Sequence, residues 1–114
     1  MKVIVNITEN FKKEVKPLLK KYSSLSTDLL QLEKELTINP RTGIPLGQDI
    51  YKIRLKISSK RKGKSGGARI ISLVETLVSV TETYVTLVSI YDKSDTANIS
   101  DKELKTLIKA YKSK

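Results

Sequence analysis

The hydrophobic period of this chain changes partway along it, and that change sets its architecture. Between Phe11 and Leu36 apolar residues fall at helical spacing: Phe11, Val15, Leu18, Leu19 and Tyr22 first, then Leu29, Leu32 and Leu36. In "IYKIRLKIS" the spacing drops to two, so that Tyr51, Ile53, Leu55 and Ile57 alternate with Lys52, Arg54 and Lys56, as in a strand with one face on a core. The first pattern predicts two helices in an antiparallel hairpin, and the second opens a sheet for them to pack on.

Local signals mark the element ends. "KVIVNI" has strand composition, and Thr8 is placed to cap the first helix. Pro17 cannot donate to the preceding turn and should kink that helix or mark a boundary. The second helix is expected behind Ser26, Thr27 or Asp28. "NPRTGIPLGQD" gathers Pro and Gly signals and reads as a loop. Two β-branched runs, "ARIISLVETLVSV" and "TYVTLVSIYDK", are joined by "TET" and suit a hairpin, which brings the sheet to about four strands. "SDKELKTLIKAY" sets Ser100 and Glu103 at capping-box spacing ahead of Leu104, Leu107, Ile108 and Tyr111, a C-terminal helix. The expected fold class is α+β: a mostly antiparallel sheet packed against an N-terminal helical hairpin, with a C-terminal helix. A length of 114 residues, 39% of them hydrophobic, with no shift of composition, suits one domain over 1–114 with a single modest core.

Composition narrows the chemistry. The chain has no cysteine and no histidine, which excludes disulfides and removes the commonest zinc ligands and the commonest general base near neutral pH. No metal and no other cofactor is expected. The apolar run at the N-terminus is too short for a secretory segment, and no stretch approaches the roughly 20 apolar residues of a membrane span. The expected location is the cytoplasm, with no membrane partner. Twenty-two basic against 12 acidic residues give a net charge of +10, a balance that favours nucleic acid or an acidic protein as partner.

That charge is concentrated. From Lys52 to Arg69 the chain carries Lys52, Arg54, Lys56, Lys60, Arg61, Lys62, Lys64 and Arg69 with no acidic residue, between Asp49 and Glu75. Within it, "KRKGKSGGAR" combines dense positive charge with Gly63, Gly66 and Gly67, a composition that adds little to local folding. A solvated strand face running into a basic loop is the plain interpretation. Ordinary surfaces mix signs, however, because like charges opposed across a sheet cost stability, and a polyanion would relieve the repulsion.

The order of strand, helical hairpin, basic strand, "GKSGGARII", a strand ending "SIYDKSD" and the capped "NISDKELKTLIKAY" resembles the RelE/ParE superfamily of type II toxins, nearest its HigB-like members. The resemblance covers most of the chain, most specifically Gly63 to Ile71 and Ile90 to Leu107. It implies a small RelE-like fold and a ribosome-dependent, metal-independent endoribonuclease that cleaves mRNA, inhibits translation and is held inactive by a cognate antitoxin. Such chemistry suits this composition: arginine forks bind phosphate oxygens, and lysine supplies a compact charge or a proton.

By the same resemblance Arg69 takes the place of a phosphate-contacting arginine, and Arg54 matches a basic position on the preceding strand. Both are expected to be exposed. Lys64, with Lys62, falls where related toxins carry basic residues near the scissile phosphate. Tyr91 and Lys93 share a strand face by period two near a sheet end; Tyr91 can stack on a base or donate a proton, or equally close the core beneath the last helix. Lys93 has the alternative of pairing with Asp92 or Asp95. Glu75, on the strand face of Arg69, is a further acid–base candidate. The expected catalytic set is thus Arg69, Arg54, Lys64, Lys93 and Tyr91, with Lys52, Lys56, Lys60, Arg61 and Lys62 binding RNA and no metal site. Two alternatives stay open: a ParE-like DNA gyrase inhibitor without nuclease activity, and a non-catalytic RNA-binding module.

Overall fold

The computed structural model describes residues 2–60, 66–77, 81–96 and 98–112. Its elements are β1 (Lys2–Ile7), α1 (Glu9–Lys21), α2 (Leu25–Ile38), β2 (Ile44–Gly47), β3 (Ile50–Leu55), β4 (Ala68–Leu77), β5 (Glu82–Asp92) and α3 (Asp101–Lys112), with a 3-10 turn at Ser58–Lys60. The strands form one sheet in the order β1-β5-β4-β3-β2. β1 runs parallel to β5, and every other neighbouring pair is antiparallel. The fold is α+β.

Two apolar layers sandwich the sheet. On one face Phe11, Val15 and Leu18 of α1 and Leu25, Leu32 and Leu36 of α2 bury against Ile53, Leu55, Ile70, Val74, Val85 and Ile90. On the other, Leu104 of α3 buries with Ile50, Ile71, Leu73 and Val88, flanked by Leu107, Ile108 and Tyr111. Ile70 and Ile71 enter different layers because successive strand residues point to opposite faces. Each fully buried aliphatic side chain contributes about 1.5–3 kcal/mol, so these layers dominate the stability. Both expected caps form. Thr8 Oγ1 accepts the Phe11 N–H at 3.1 Å, and Ser100 Oγ accepts the Glu103 N–H at 3.1 Å while donating to the Glu103 carboxylate at 3.2 Å.

β5 contains a bulge that the apolar pattern hides. Ile71 pairs with Ser89 but Ser72 pairs with Leu87, which leaves Val88 as the extra residue. Leu87 and Ile90, three apart, therefore reach the same layer, which an unbroken period of two forbids. The Val88 carbonyl is instead met by Oγ1 of the N-cap Thr8 at 3.2 Å and by Asn10 Nδ2 of α1 at 3.0 Å.

Several expectations are corrected. The segment read as a loop contains β2, so the sheet has five strands. Its proline is tolerated because β2 is an edge strand. The β2–β3 hairpin turns through Gln48 and Asp49, whose φ values of 53° and 64° define a tight two-residue turn. Arg41 braces it, donating to Asp49 at 2.8 Å and to the Tyr51 hydroxyl at 2.9 Å. α1 passes through Pro17 as one helix; its docked apolar face outweighs the loss of one backbone bond. α2 begins earlier than expected, at Leu25 behind Ser24. Glu82 and Thr83 of the supposed "TET" linker already belong to β5, paired with Leu77 and Thr76, and residues 78–80 lie outside the described residues.

Candidate functional site

Three of the singled-out side chains form a row across the sheet. Arg54 of β3 stands opposite Arg69 of β4, and Arg69 stands opposite Tyr91 of β5. They lie on the face of the sheet that α3 covers further along. The burial is uneven: Arg54 is exposed and Tyr91 half-buried, but Arg69 is only 5% exposed, which corrects the expectation of two exposed arginines. Burial, and then the Arg54 guanidinium, push the Arg69 guanidinium below the ordinary arginine value, against a smaller opposing effect of Tyr91. An arginine remains protonated in a protein, so the sheet holds two like charges on facing positions, one of them largely out of water. Arg69 Nη1 donates to the Ala68 carbonyl at 3.2 Å, and a nearby anion would further favour both charges. Tyr91 is fixed at the end of the row by the Ile99 N–H, which its hydroxyl accepts at 3.4 Å.

Beside this row the structure clamps both ends of the glycine-rich basic loop. At its start two buried aspartates act from the helical side of the sheet. Asp28 of α2 accepts the Ser58 N–H at 3.0 Å and the Ser58 hydroxyl at 2.7 Å. Asp92, at the end of β5, accepts the Lys60 ammonium at 2.7 Å, the Ser94 N–H at 2.9 Å and the Tyr22 hydroxyl. Burial pushes the Asp92 carboxyl up, yet the bonds from Lys60, Tyr22 and Ser94 outweigh it and hold the group far below the usual carboxylate range. At the far end Gly67 touches β3 so closely that an added Cβ would lie 2.0 Å from the Leu55 carbonyl oxygen. The Lys93 N–H donates to the Gly67 carbonyl at 3.0 Å.

The other expected residues separate accordingly. Lys60 is turned inward: its side chain is 7% exposed and paired with Asp92, so it anchors the loop rather than presenting charge. Lys52 shares the face of Arg54 and donates to Asn98 at 3.0 Å. Lys56 is exposed just beyond β3. Lys93 lies in the turn after β5, not on the strand face of Tyr91, and its backbone bond keeps it beside the loop's exit. Arg61, Lys62 and Lys64 lie outside the described residues. Glu75 is six residues along β4 from Arg69, about 20 Å away at strand rise, and belongs to no common site with it. Among the described residues no group of three or more His, Cys, Asp or Glu side chains is placed to hold a metal ion.

A cavity the sequence did not announce adjoins Tyr91. It has a volume of about 420 Å³ and is lined by Asn10 and Glu14 of α1, Ser89 and Tyr91 of β5, and Lys102 and Thr106 of α3, among others. The Glu14 carboxylate accepts Asn10 Nδ2 and Ser89 Oγ, each at 2.7 Å, through one oxygen. Asn10 and Glu14 share a helix face at i, i+4, but the bulge that brings Ser89 to them has no sequence signal. Asp92 was legible in principle: by period two it shares the inward face of Ile90, and a buried acid needs a cation.

No protein-family model matches the chain, and no curated protein matches it. No helix among the described residues is long and apolar enough to cross a membrane.

Proposed function

We propose that this protein is the toxin of a type II toxin–antitoxin system, similar to the RelE/ParE superfamily and nearest its HigB-like members, acting in the cytoplasm as a ribosome-dependent mRNA endoribonuclease. The observation that carries the reading is the facing pair Arg54 and Arg69 with Tyr91 at the end of the row. In the proposed reaction the ribose 2′-oxygen attacks the adjacent phosphorus and loses its proton to a base. The bond to the 5′-oxygen breaks, and that oxygen takes up a proton. The products are a 2′,3′-cyclic phosphate and a 5′-hydroxyl end.

Each side chain has a task this geometry suits. Arg54 presents an exposed fork of donors to the non-bridging oxygens, whose charge is greatest in the pentavalent transition state, and the largely buried Arg69, whose Nη1 donates to the Ala68 carbonyl at 3.2 Å, adds its remaining donors from the adjacent strand. Partial burial strengthens that interaction relative to water. The Tyr91 hydroxyl, positioned by the Ile99 N–H that it accepts, is the proposed proton donor to the leaving oxygen; Lys93 is the other proton carrier. Lys52 and Lys56 extend the positive surface along the RNA. A cognate antitoxin would silence the protein by placing acidic groups against this face.

The test is a cell-free translation reaction supplied with the purified protein. Translation should stop and the mRNA should acquire internal 5′-hydroxyl ends. Intact mRNA with inhibited gyrase supercoiling would replace this reading with the ParE-like one.

A further inference from the structure

The cavity beside Tyr91 has the features of a binding site, and its position suggests what it binds. Tyr91 belongs both to the arginine row and to the cavity wall. A chain whose phosphate sits on Arg54 and Arg69 therefore has its neighbouring nucleotide one strand over, at the cavity mouth. About 420 Å³ lies within the range of small-ligand clefts and accommodates one base. Tyr91 supplies an aromatic face held by its bond to Ile99, and Lys102, in the first turn of α3, supplies positive charge at the rim.

Glu14 gives the cavity its selectivity. Its Oε1 is occupied by Asn10 Nδ2 at 2.7 Å, Ser89 Oγ at 2.7 Å and the Ile90 N–H at 3.4 Å. No hydrogen bond among the described residues engages Oε2. The carboxylate is thus fixed in place by one oxygen while the other remains an acceptor. Adenine, cytosine and guanine each carry an exocyclic amino group able to donate to it. Uracil carries none, and its single ring N–H lies between two carbonyl oxygens that a carboxylate repels.

We propose that this cavity is a base-reading subsite for the nucleotide flanking the phosphate on Arg54 and Arg69, in which Glu14 accepts an exocyclic amino group and selects adenine, cytosine or guanine against uracil. The inference rests on the ribonuclease reading above. Glu14→Gln keeps an oxygen for Asn10, Ser89 and Ile90 but places an amide NH2 where Oε2 was, a donor suited to a uracil carbonyl.

The experiment maps cleaved 5′ ends after brief induction of the wild type, of Glu14→Gln and of Thr106→Phe, which fills the cavity from the exposed face of α3 without touching the Glu14 bonds. Thermal melts establish that each variant is folded. The wild type should under-use uracil at the flanking position, Glu14→Gln should raise its use by about tenfold relative to the other bases, and Thr106→Phe should lower cleavage at all sites at least about tenfold. If Glu14→Gln does not fold, Thr106→Phe alone decides. Wild-type cleavage with no bias against uracil, or full cleavage by Thr106→Phe, overturns the subsite and leaves the ribonuclease reading intact. Absence of wild-type cleavage overturns both.

Discussion

Arg69 and Arg54 face each other in an arrangement that costs folding stability. Like charges facing each other across two strands are unfavourable by roughly 0.2–1 kcal/mol, and a buried charge adds to that. Arg54→Ala should therefore leave the melting temperature unchanged or raise it slightly while lowering the cleavage rate by roughly 10²–10³, the loss seen when one donor to a charged transition state is removed. Arg69→Met, which preserves most of the buried volume, should behave alike, and Arg69→Lys should not restore activity because a single ammonium cannot replace a two-pronged fork. Rates and melts on the purified variants check this; full activity in either alanine or methionine variant would remove that arginine from the site. Asp92 works in the opposite sense. Its folded carboxyl titrates below its unfolded one, so the unfolded chain binds more protons, and the stability it contributes is present above about pH 4 and lost as pH falls further. Asp92→Asn should be less stable near neutrality by about 3 kcal/mol, since it leaves the Lys60 ammonium buried without its charge partner, and its melting temperature should fall less steeply below about pH 4. An unchanged acid profile would assign that loss to other carboxylates.

The elements beside the site are tied by contacts that leave little slack. Gly67 lies against the Leu55 carbonyl oxygen, where a Cβ would stand 2.0 Å away, so β4 cannot begin there with any larger residue. Gly67→Ala should destabilise the protein by about 1–3 kcal/mol as the strands part, measured by denaturant unfolding; equal midpoints would mean that the loop's exit is loosely held. The alternation in "IYKIRLKIS" revealed which residues of β3 face the core, because burial and period coincide there, and the same holds for α3, where cap and apolar stripe agree. Three features escaped. β2 was hidden because Pro45 and Gly47 are loop residues everywhere except on an edge strand. The Val88 bulge was hidden because "TLVSIY" is apolar or small at nearly every position, so a slipped register looks like a regular one. Lys60 is indistinguishable in sequence from its basic neighbours because its partner, Asp92, is 32 residues away and joins it only through tertiary structure. The row of Arg54, Arg69 and Tyr91 required the register itself: each residue could be chosen from its type, but their adjacency could not.

At the scale of the whole molecule the two faces of the sheet differ in what covers them. One face is covered by α1 and α2 and contains the larger apolar layer, and the other carries α3 at one part and the arginine row at another. The charge of +10 is thus not an even coat, and association with ribosomes or with an acidic antitoxin should weaken as salt rises through the range where surface charges are screened. A variant with Lys52 and Lys56 changed to serine should associate more slowly with little change in dissociation; binding rates indifferent to both salt and this variant would move the contact to another surface. The central claim is that the arginine row cleaves RNA. Its most direct test is a map of RNA 5′ ends in cells shortly after induction of the wild type and of the paired Arg54→Ala, Arg69→Met variant. New 5′ ends inside translated reading frames should appear with the wild type and vanish with the variant, whereas a map identical to that of uninduced cells, with soluble wild-type protein accumulating, would contradict it.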